Sequence, residues 1–287
     1  MDTAELIKKV RRIEIKTRGL SRHIFAGQYH SAFKGRGIAF SEVREYQYGD
    51  DVRNIDWNVM ARFNHPYVKV YEEERELTVM LLVDVSSSGL FGTVKGFKRD
   101  VMTEIAAVLS FSAMFNKDKI GVIFFSSRVE KFIRPQKGRK HILRIIRELI
   151  DFTPENKQTD LNEPLRYLTN ALRKRCTAFI LSDFISPAFE ESLRIAANKH
   201  DIVALKIYDQ AETAIPDIGF LRIYDPESGY EKWIDTSSRK MRKEFSYWWE
   251  SHSEDLKNVF RRCGVDSAWI CTSEDYVQPL IRLFKNR

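Results

Sequence analysis

Asp84, Ser86 and Ser88 stand in the pattern D-x-S-x-S directly after an apolar run, Leu77 to Val83. Asp183 follows a second apolar run, Ala178 to Ser182, and Thr159 lies in Gln158-Thr159-Asp160-Leu161 at the start of a helical stretch. Two carboxylates and three hydroxyls are hard oxygen donors. Such a set suits Mg²⁺ or Mn²⁺ in an octahedral shell at roughly 2.0–2.1 Å, and the same donors serve Ca²⁺. So few charged donors leave water on the ion, and an open position could take a carboxylate from another protein. The residues predicted to bind metal are therefore Asp84, Ser86, Ser88, Thr159 and Asp183. A competing reading makes Asp84 and Asp183 loop caps and Ser86 and Ser88 helix caps. Three strand-end or helix-start loops in register favour the metal.

Other chemistries fit less well. A haloacid-dehalogenase phosphatase needs D-x-D, but Ser86 stands at the second aspartate. A serine hydrolase needs G-x-S-x-G with a histidine base; Val85 and Ser87 break that pattern. The sequence has no GxxxxGK[ST], and no GxGxxG follows a strand, so phosphate-loop and dinucleotide sites are disfavoured. Six scattered histidines show no HExxH, which disfavours a zinc enzyme. The three cysteines, Cys176, Cys263 and Cys271, form no CxxC and fit a reducing, cytoplasmic setting.

The elements that carry these residues follow from periodicity. Leu77 to Val83, Ile120 to Ser126, Ala178 to Ser182, Asp201 to Tyr208 and Ser267 to Thr272 read as strands, with Val129 to Arg134 as a short edge strand broken by Pro135. Amphipathic helices alternate with them: Gly96 to Phe115, Arg139 to Phe152, Leu161 to Lys174, Phe189 to Lys199, Ser238 to Cys263 and Tyr276 to Phe284. Gly219 to Tyr224 and Tyr230 to Thr236 read as a hairpin. Fully apolar strands alternating with helices predict an α/β fold: a doubly wound, mostly parallel sheet with helices on both faces. In such a sheet ligands sit beyond the carboxyl ends of strands at the topological switch point, and Asp84 and Asp183 each follow a strand.

Two regions are expected. Residues 77–287 form the α/β domain, and residues 1–76 form an N-terminal helix and an arm of short strands and turns packed on it. In the arm Tyr67 to Tyr71 is a candidate strand, and no sustained helical period is seen between 21 and 76. Residues 1 to about 20 read as a basic amphipathic helix, more readily a solvated helix than a membrane-surface one.

Over 287 residues, 43% hydrophobic and 12% aromatic, a sizeable core can be buried. Lys+Arg 47 against Asp+Glu 40 gives a net charge of +7. That excess permits peripheral contact with an anionic membrane and does not point to specific nucleic-acid binding. There is no apolar signal region at the start and no run approaching the ~20 residues of a membrane span, so a soluble cytoplasmic protein is expected.

Beside this reading stands a resemblance. D-x-S-x-S, a later loop threonine and an aspartate closing a further strand resemble the metal-ion-dependent adhesion site of von Willebrand factor A domains. The resemblance implies that Asp84, Ser86 and Ser88 coordinate the ion, that Thr159 joins directly or through water, and that Asp183 joins through water. It also implies that the first and fourth strands lie side by side. Upstream, Phe40-Ser41-Glu42-Val43-Arg44-Glu45-Tyr46, Tyr48-Gly49-Asp50-Asp51-Val52-Arg53, Ile55-Asp56-Trp57 and Ala61-Arg62 resemble the signature of the domain-of-unknown-function family fifty-eight. That family couples this block to a von Willebrand A-like domain, and the similarity runs from about Gly27 to Arg287. Its members are encoded beside MoxR-type AAA+ ATPases and are thought to act with them as adaptors in complex assembly or stress response, with no established enzymatic activity. Many relatives carry transmembrane helices ahead of the block, and many have methionine where Gly89 stands.

The sequence therefore predicts a non-enzymatic, metal-dependent protein-interaction module. Its expected partner is a MoxR-type AAA+ ATPase or a client bearing an acidic residue. The alternatives are a metal-dependent phosphoester hydrolase and a degenerate domain whose site is purely structural. The charged residues of the arm, Glu42 to Arg62, are expected mainly to form an ion-paired network and secondarily to offer a docking surface. In the pair Trp248-Trp249, a covered tryptophan is expected.

Overall fold

The computed structural model describes residues 39–72, 77–93, 97–224 and 229–287. The expected helix over the first twenty residues lies outside them. The chain divides into two compact units, with Lys34–Leu77 in one and Thr78–Arg287 in the other.

In the smaller unit β1 (Ala39–Glu45) pairs antiparallel with β2 (Tyr67–Glu72), with a register shift between Phe40 and Glu42. Between them a short 3₁₀ turn, Val52–Asn54, leads into helix α1, Trp57–Phe63. The sequence pattern missed this two-turn helix because seven residues are too few to set up a period. Its start signal was nevertheless present. Asp56 caps it by accepting from the backbone N–H groups of Asn58 (3.0 Å) and Val59 (3.3 Å). Other charges of the block are also used locally. Asp51 accepts from Arg53 N (2.9 Å), and Asp50 accepts from Arg44 Nη2 (2.6 Å) and Gln47 N (2.9 Å). The Arg44 guanidinium holds the Asp50 carboxyl below its ordinary range.

In the larger unit a six-stranded sheet has the order β10-β7-β6-β3-β4-β5. The strands are β3 (Thr78–Asp84), β4 (Lys119–Phe125), β5 (Val129–Gln136), β6 (Thr177–Ser182), β7 (Asp201–Tyr208) and β10 (Asp266–Cys271). Five of them run parallel, and β5 is antiparallel at the edge. This is the expected doubly wound α/β fold, and the first and fourth of the expected strands, β3 and β6, are neighbours. All six residues of β6 are buried, which only a strand covered on both faces requires.

The covering helices are α2 (Lys98–Phe115), α3 (Arg139–Asp151), α4 (Asn162–Ala171), α5 (Glu190–Lys199), α6 (Arg239–Cys263) and α7 (Val277–Lys285). On one face Met80, Leu82, Ala178 and Ile180 pack with Leu165 and Leu168 of α4, Leu193 of α5 and Phe260 of α6. The period of two sends Phe179 to the other face, where its ring meets Phe284 of α7 edge-on at 6.1 Å. Trp249 of α6 is buried, but Trp248 beside it, expected to be covered, is 48% exposed and stacks on His252 at 5.4 Å. Strands β8 (Phe220–Tyr224) and β9 (Glu231–Asp235) form the expected antiparallel hairpin.

Edge strand β5 runs past Pro135 rather than stopping before it. Proline is tolerated there because an edge strand has an outer side with no ladder partner. The close approach of this strand depends on Gly121 in β4. A Cβ at that position would lie 2.7 Å from Ile133 O, 2.8 Å from Met80 Sδ and 2.9 Å from Pro135 N. Gly121→Ala should therefore destabilise the fold by about 1–3 kcal/mol through overpacking, read as a lower urea midpoint at unchanged slope. A midpoint equal to wild type would mean that β5 gives way without loss.

Candidate metal centre

Strand β3 lies between β6 and β4, so the chain leaves its carboxyl end in one direction and returns to β6 on the other side. That is the switch point of the sheet, and Asp84 and Asp183 stand on either side of it. Register places Val83 opposite Leu181, which sets Asp84 beside Ser182. Ser182 Oγ donates to Asp84 Oδ2 at 2.6 Å, and Ser86 N donates to Asp84 Oδ1 at 3.0 Å. The Ser86 and Ser88 hydroxyls are 3.0 Å apart, and the Ser88 hydroxyl also bonds to Asp183. Asp84, Ser86, Ser88 and Asp183 thus form one hydrogen-bonded group. Asp84, Ser86 and Asp183 are each at most 3% exposed.

Thr159 is buried, and its loop is stitched to the same place. Ser87 N donates to Lys157 O (3.0 Å), Asp160 N to Ser126 O at the end of β4 (3.0 Å), and Leu161 N to Ser186 Oγ beyond β6 (3.1 Å). Glu130 clamps the loop from β5, accepting from Ser126 Oγ (2.6 Å) and from both Asn156 N and Asn156 Nδ2 (3.1 Å).

The electrostatics of the two aspartates diverge. Burial, reinforced by the charge of Asp183, pushes the Asp84 carboxyl up to about 7. Burial acts on Asp183 in the same sense, but Lys98, the backbone N–H of Ile185 and the Ser88 hydroxyl outweigh it and hold Asp183 below the usual carboxylate range. Lys98 is the first residue of α2 and is only 1% exposed. Its ammonium lies 2.7 Å from Asp183 Oδ2 and 2.7 Å from Glu212 Oε1. Glu212 is itself held in place, because its other oxygen accepts from Asp209 N at 2.8 Å. A second buried lysine, Lys206 of β7, donates to the Asp183 carbonyl at 3.0 Å. It is sandwiched between the rings of Trp249 (5.1 Å) and Trp269 (5.0 Å), and burial pulls its pKa down to about 8.

Two carboxylates with serine and threonine hydroxyls around them are the donor chemistry of a hard divalent cation. Among the described residues no group of three or more His, Cys, Asp and Glu side chains is placed to hold a metal ion. A metal here would therefore depend on the hydroxyls as well as on Asp84 and Asp183.

The model of the family described as "Protein of unknown function DUF58" matches residues 42–255. The chain belongs to the DUF58 family. An uncharacterized protein of Mycobacterium tuberculosis is 28% identical over 100% of this chain and 91% of its own length. Among solved structures, the conserved hypothetical protein BatB of Bacteroides thetaiotaomicron is similar with a TM-score of 0.46 and 14% identity, over 73% of this chain and 99% of its own. The SpRpn10 VWA domain is similar with a TM-score of 0.39 and 12% identity, over 72% and 94%. No helix among the described residues of this DUF58 chain is long and apolar enough to cross a membrane.

Sequence reasoning on this DUF58 chain did not find Lys98, Lys206, Glu212, Asp209 or Glu130. Lys98 opens a helix and Lys206 lies in a strand, and nothing in their spacing marks them. The one available signal is negative: a lysine in the first turn of a helix opposes the dipole and needs a reason to be there.

The raised carboxyl of Asp84 gives a signed prediction for the chelated protein. The unfolded chain releases that proton above about 4, whereas the folded chain keeps it up to about 7. Between these values the folded state binds more protons, so the contribution of Asp84 to stability is lost as pH rises. Asp183, with its lowered pKa, acts oppositely and only below about pH 4. The stability of wild type should thus fall relative to that of Asp84→Asn, whose amide stays neutral, as pH rises from about 4 to about 7. A constant difference over that range would mean that Asp84 is ionised throughout.

Proposed function

We propose that this chain is a metal-dependent protein-binding module. Asp84, Ser86 and Ser88 would hold Mg²⁺, or Mn²⁺ or Ca²⁺ in its place, with Thr159 and Asp183 contributing directly or through water. The observation that carries the reading is the buried Asp84–Ser86–Ser88–Asp183 group at the switch point of the sheet. When bound, the ion supplies a localised positive charge with a position open to an incoming carboxylate. The chain's own residues preorganise that position: Ser182 orients Asp84, Ile185 N orients Asp183, and Glu130 holds the Thr159 loop.

Large apolar side chains on the same loops support a protein ligand over a small phosphoester. Leu90 (55% exposed), Phe91 (40%), Phe97 (51%) and Ile185 (39%) flank the ligand-bearing segments. Exposed apolar groups beside a polar centre are the make-up of a protein interface. Catalysis is disfavoured by the same geometry. Among the described residues no histidine hydrogen-bonds to a serine of the group, and Asp183, which does accept from Ser88, is ion-paired with Lys98 and so is a weak base. By family resemblance, the partner proposed is a MoxR-type AAA+ ATPase or an acidic segment of its client.

One observation favours a second reading, in which the group is structural only: Lys98 already neutralises Asp183. Calorimetric titration of metal-stripped protein with Mg²⁺ and Mn²⁺ separates the two. Wild type should bind one ion saturably, while Asp84→Ala should bind none and keep its far-UV circular dichroism. Absence of binding by wild type would leave the structural reading.

A further inference from the structure

A lysine at the first position of an eighteen-residue helix faces the positive end of the helix dipole. Lysine is also among the residues least often fully buried, yet Lys98 is 1% exposed. Its burial is sustained by two carboxylates at equal distance, Asp183 Oδ2 and Glu212 Oε1, both at 2.7 Å. The two acceptors differ in kind. Asp183 belongs to the candidate metal centre and is 2% exposed. Glu212 lies outside that centre, its side chain is 16% exposed, and its second oxygen is bonded to Asp209 N in a capping box. Asp209 in turn accepts from Thr93 Oγ1 (2.7 Å) and Thr272 Oγ1 (2.6 Å), so the Glu212 end of the bridge is anchored to the framework.

We propose that Lys98 is a tethered cation that holds Asp183 when no metal ion is bound, competes with a divalent ion for it, and is taken up by Glu212 when the ion binds. This inference rests on the metal-binding reading of Asp84, Ser86, Ser88, Thr159 and Asp183. The physical ground is charge placement. A divalent ion at the centre would bring two further positive charges beside an ammonium already fixed there, in surroundings that screen poorly. Without a cation, two buried carboxylates would face each other uncompensated, which is strongly unfavourable. Lys98 supplies that compensation from within the chain. Glu212 supplies the place to which the ammonium can shift without losing all of its pairing. Lys98 and Glu212 then set the affinity of the centre in opposite directions, although neither is a ligand.

The test uses the full chain, stripped of metal, in three forms: wild type, Lys98→Met and Glu212→Gln. Each is titrated with Mn²⁺ and Mg²⁺ by calorimetry and melted in chelator and in saturating Mn²⁺. Lys98→Met should bind about tenfold more tightly than wild type or better, because a like charge is gone from the centre. It should melt lower than wild type in chelator and regain most of that loss with Mn²⁺. Glu212→Gln should bind about threefold or more weakly than wild type, because the ammonium loses its alternative acceptor and stays on Asp183.

Wild-type binding with equal or weaker binding by Lys98→Met would overturn the competition and leave the metal-binding reading standing. Absence of binding in all three forms would overturn both. Should Lys98→Met fail to fold, Glu212→Gln still decides: affinity equal to wild type would sink the proposal.

Discussion

Asp84 and Asp183 are buried next to each other at the mouth of the sheet, and that juxtaposition needs compensation before the rest of the domain can close around it. Two adjacent carboxylates in a poorly solvated site cannot both ionise without partners. The structure answers each in its own way. Asp84 receives hydrogen bonds from Ser182 and Ser86 and keeps a raised pKa. Asp183 receives an ammonium, a backbone N–H and a hydroxyl and remains ionised. The loop after β3, the start of α2 and the loop after β6 are all shaped by these bonds.

The surrounding framework makes the arrangement rigid. Strands β3 and β6 are buried and paired in register up to Val83 and Leu181, which sets Asp84 at the end of one and Asp183 just beyond the end of the other. Lys206, enclosed by Trp249 and Trp269, links α6 and β10 to the Asp183 carbonyl. Asp209 binds Thr93, Ala211 and Thr272, joining the segment after β3 to the ends of β7 and β10. A site supported in this way has its oxygens held from several elements at once.

Strand and helix order in the α/β unit was legible from hydrophobic patterning, because strands covered on both faces become continuous apolar runs and the helices over them keep a 3.6-residue stripe. The start of α6 was legible too: Ser238, where the helix was expected to begin, caps it by accepting from Met241 N. Legibility failed where the governing contact is not local. Helix α1 was missed because its seven residues carry no period, although Asp56 marks its start. Edge strand β5 continued through Pro135 because an edge strand does not need every N–H. Trp249 and Trp248 diverge, one buried on Lys206 and the other left half exposed, as adjacent residues on a helix must.

The residue types and their positions after apolar runs were enough to nominate Asp84, Ser86, Ser88, Thr159 and Asp183 as a set, because the carboxyl ends of parallel strands converge by topology alone. Sequence also determined the fold class, since a pattern of fully apolar strands and amphipathic helices has few ways to bury itself. The charge state of the set was decided only in three dimensions. Glu212 and Asp183 meet at Lys98, more than a hundred positions from Glu212 in the chain, because the start of α2 and the turn after β7 both lie beyond the carboxyl ends of the central strands. No local pattern encodes that meeting, for electrostatic energy depends on distance in space and on burial, and both are set by the packed fold.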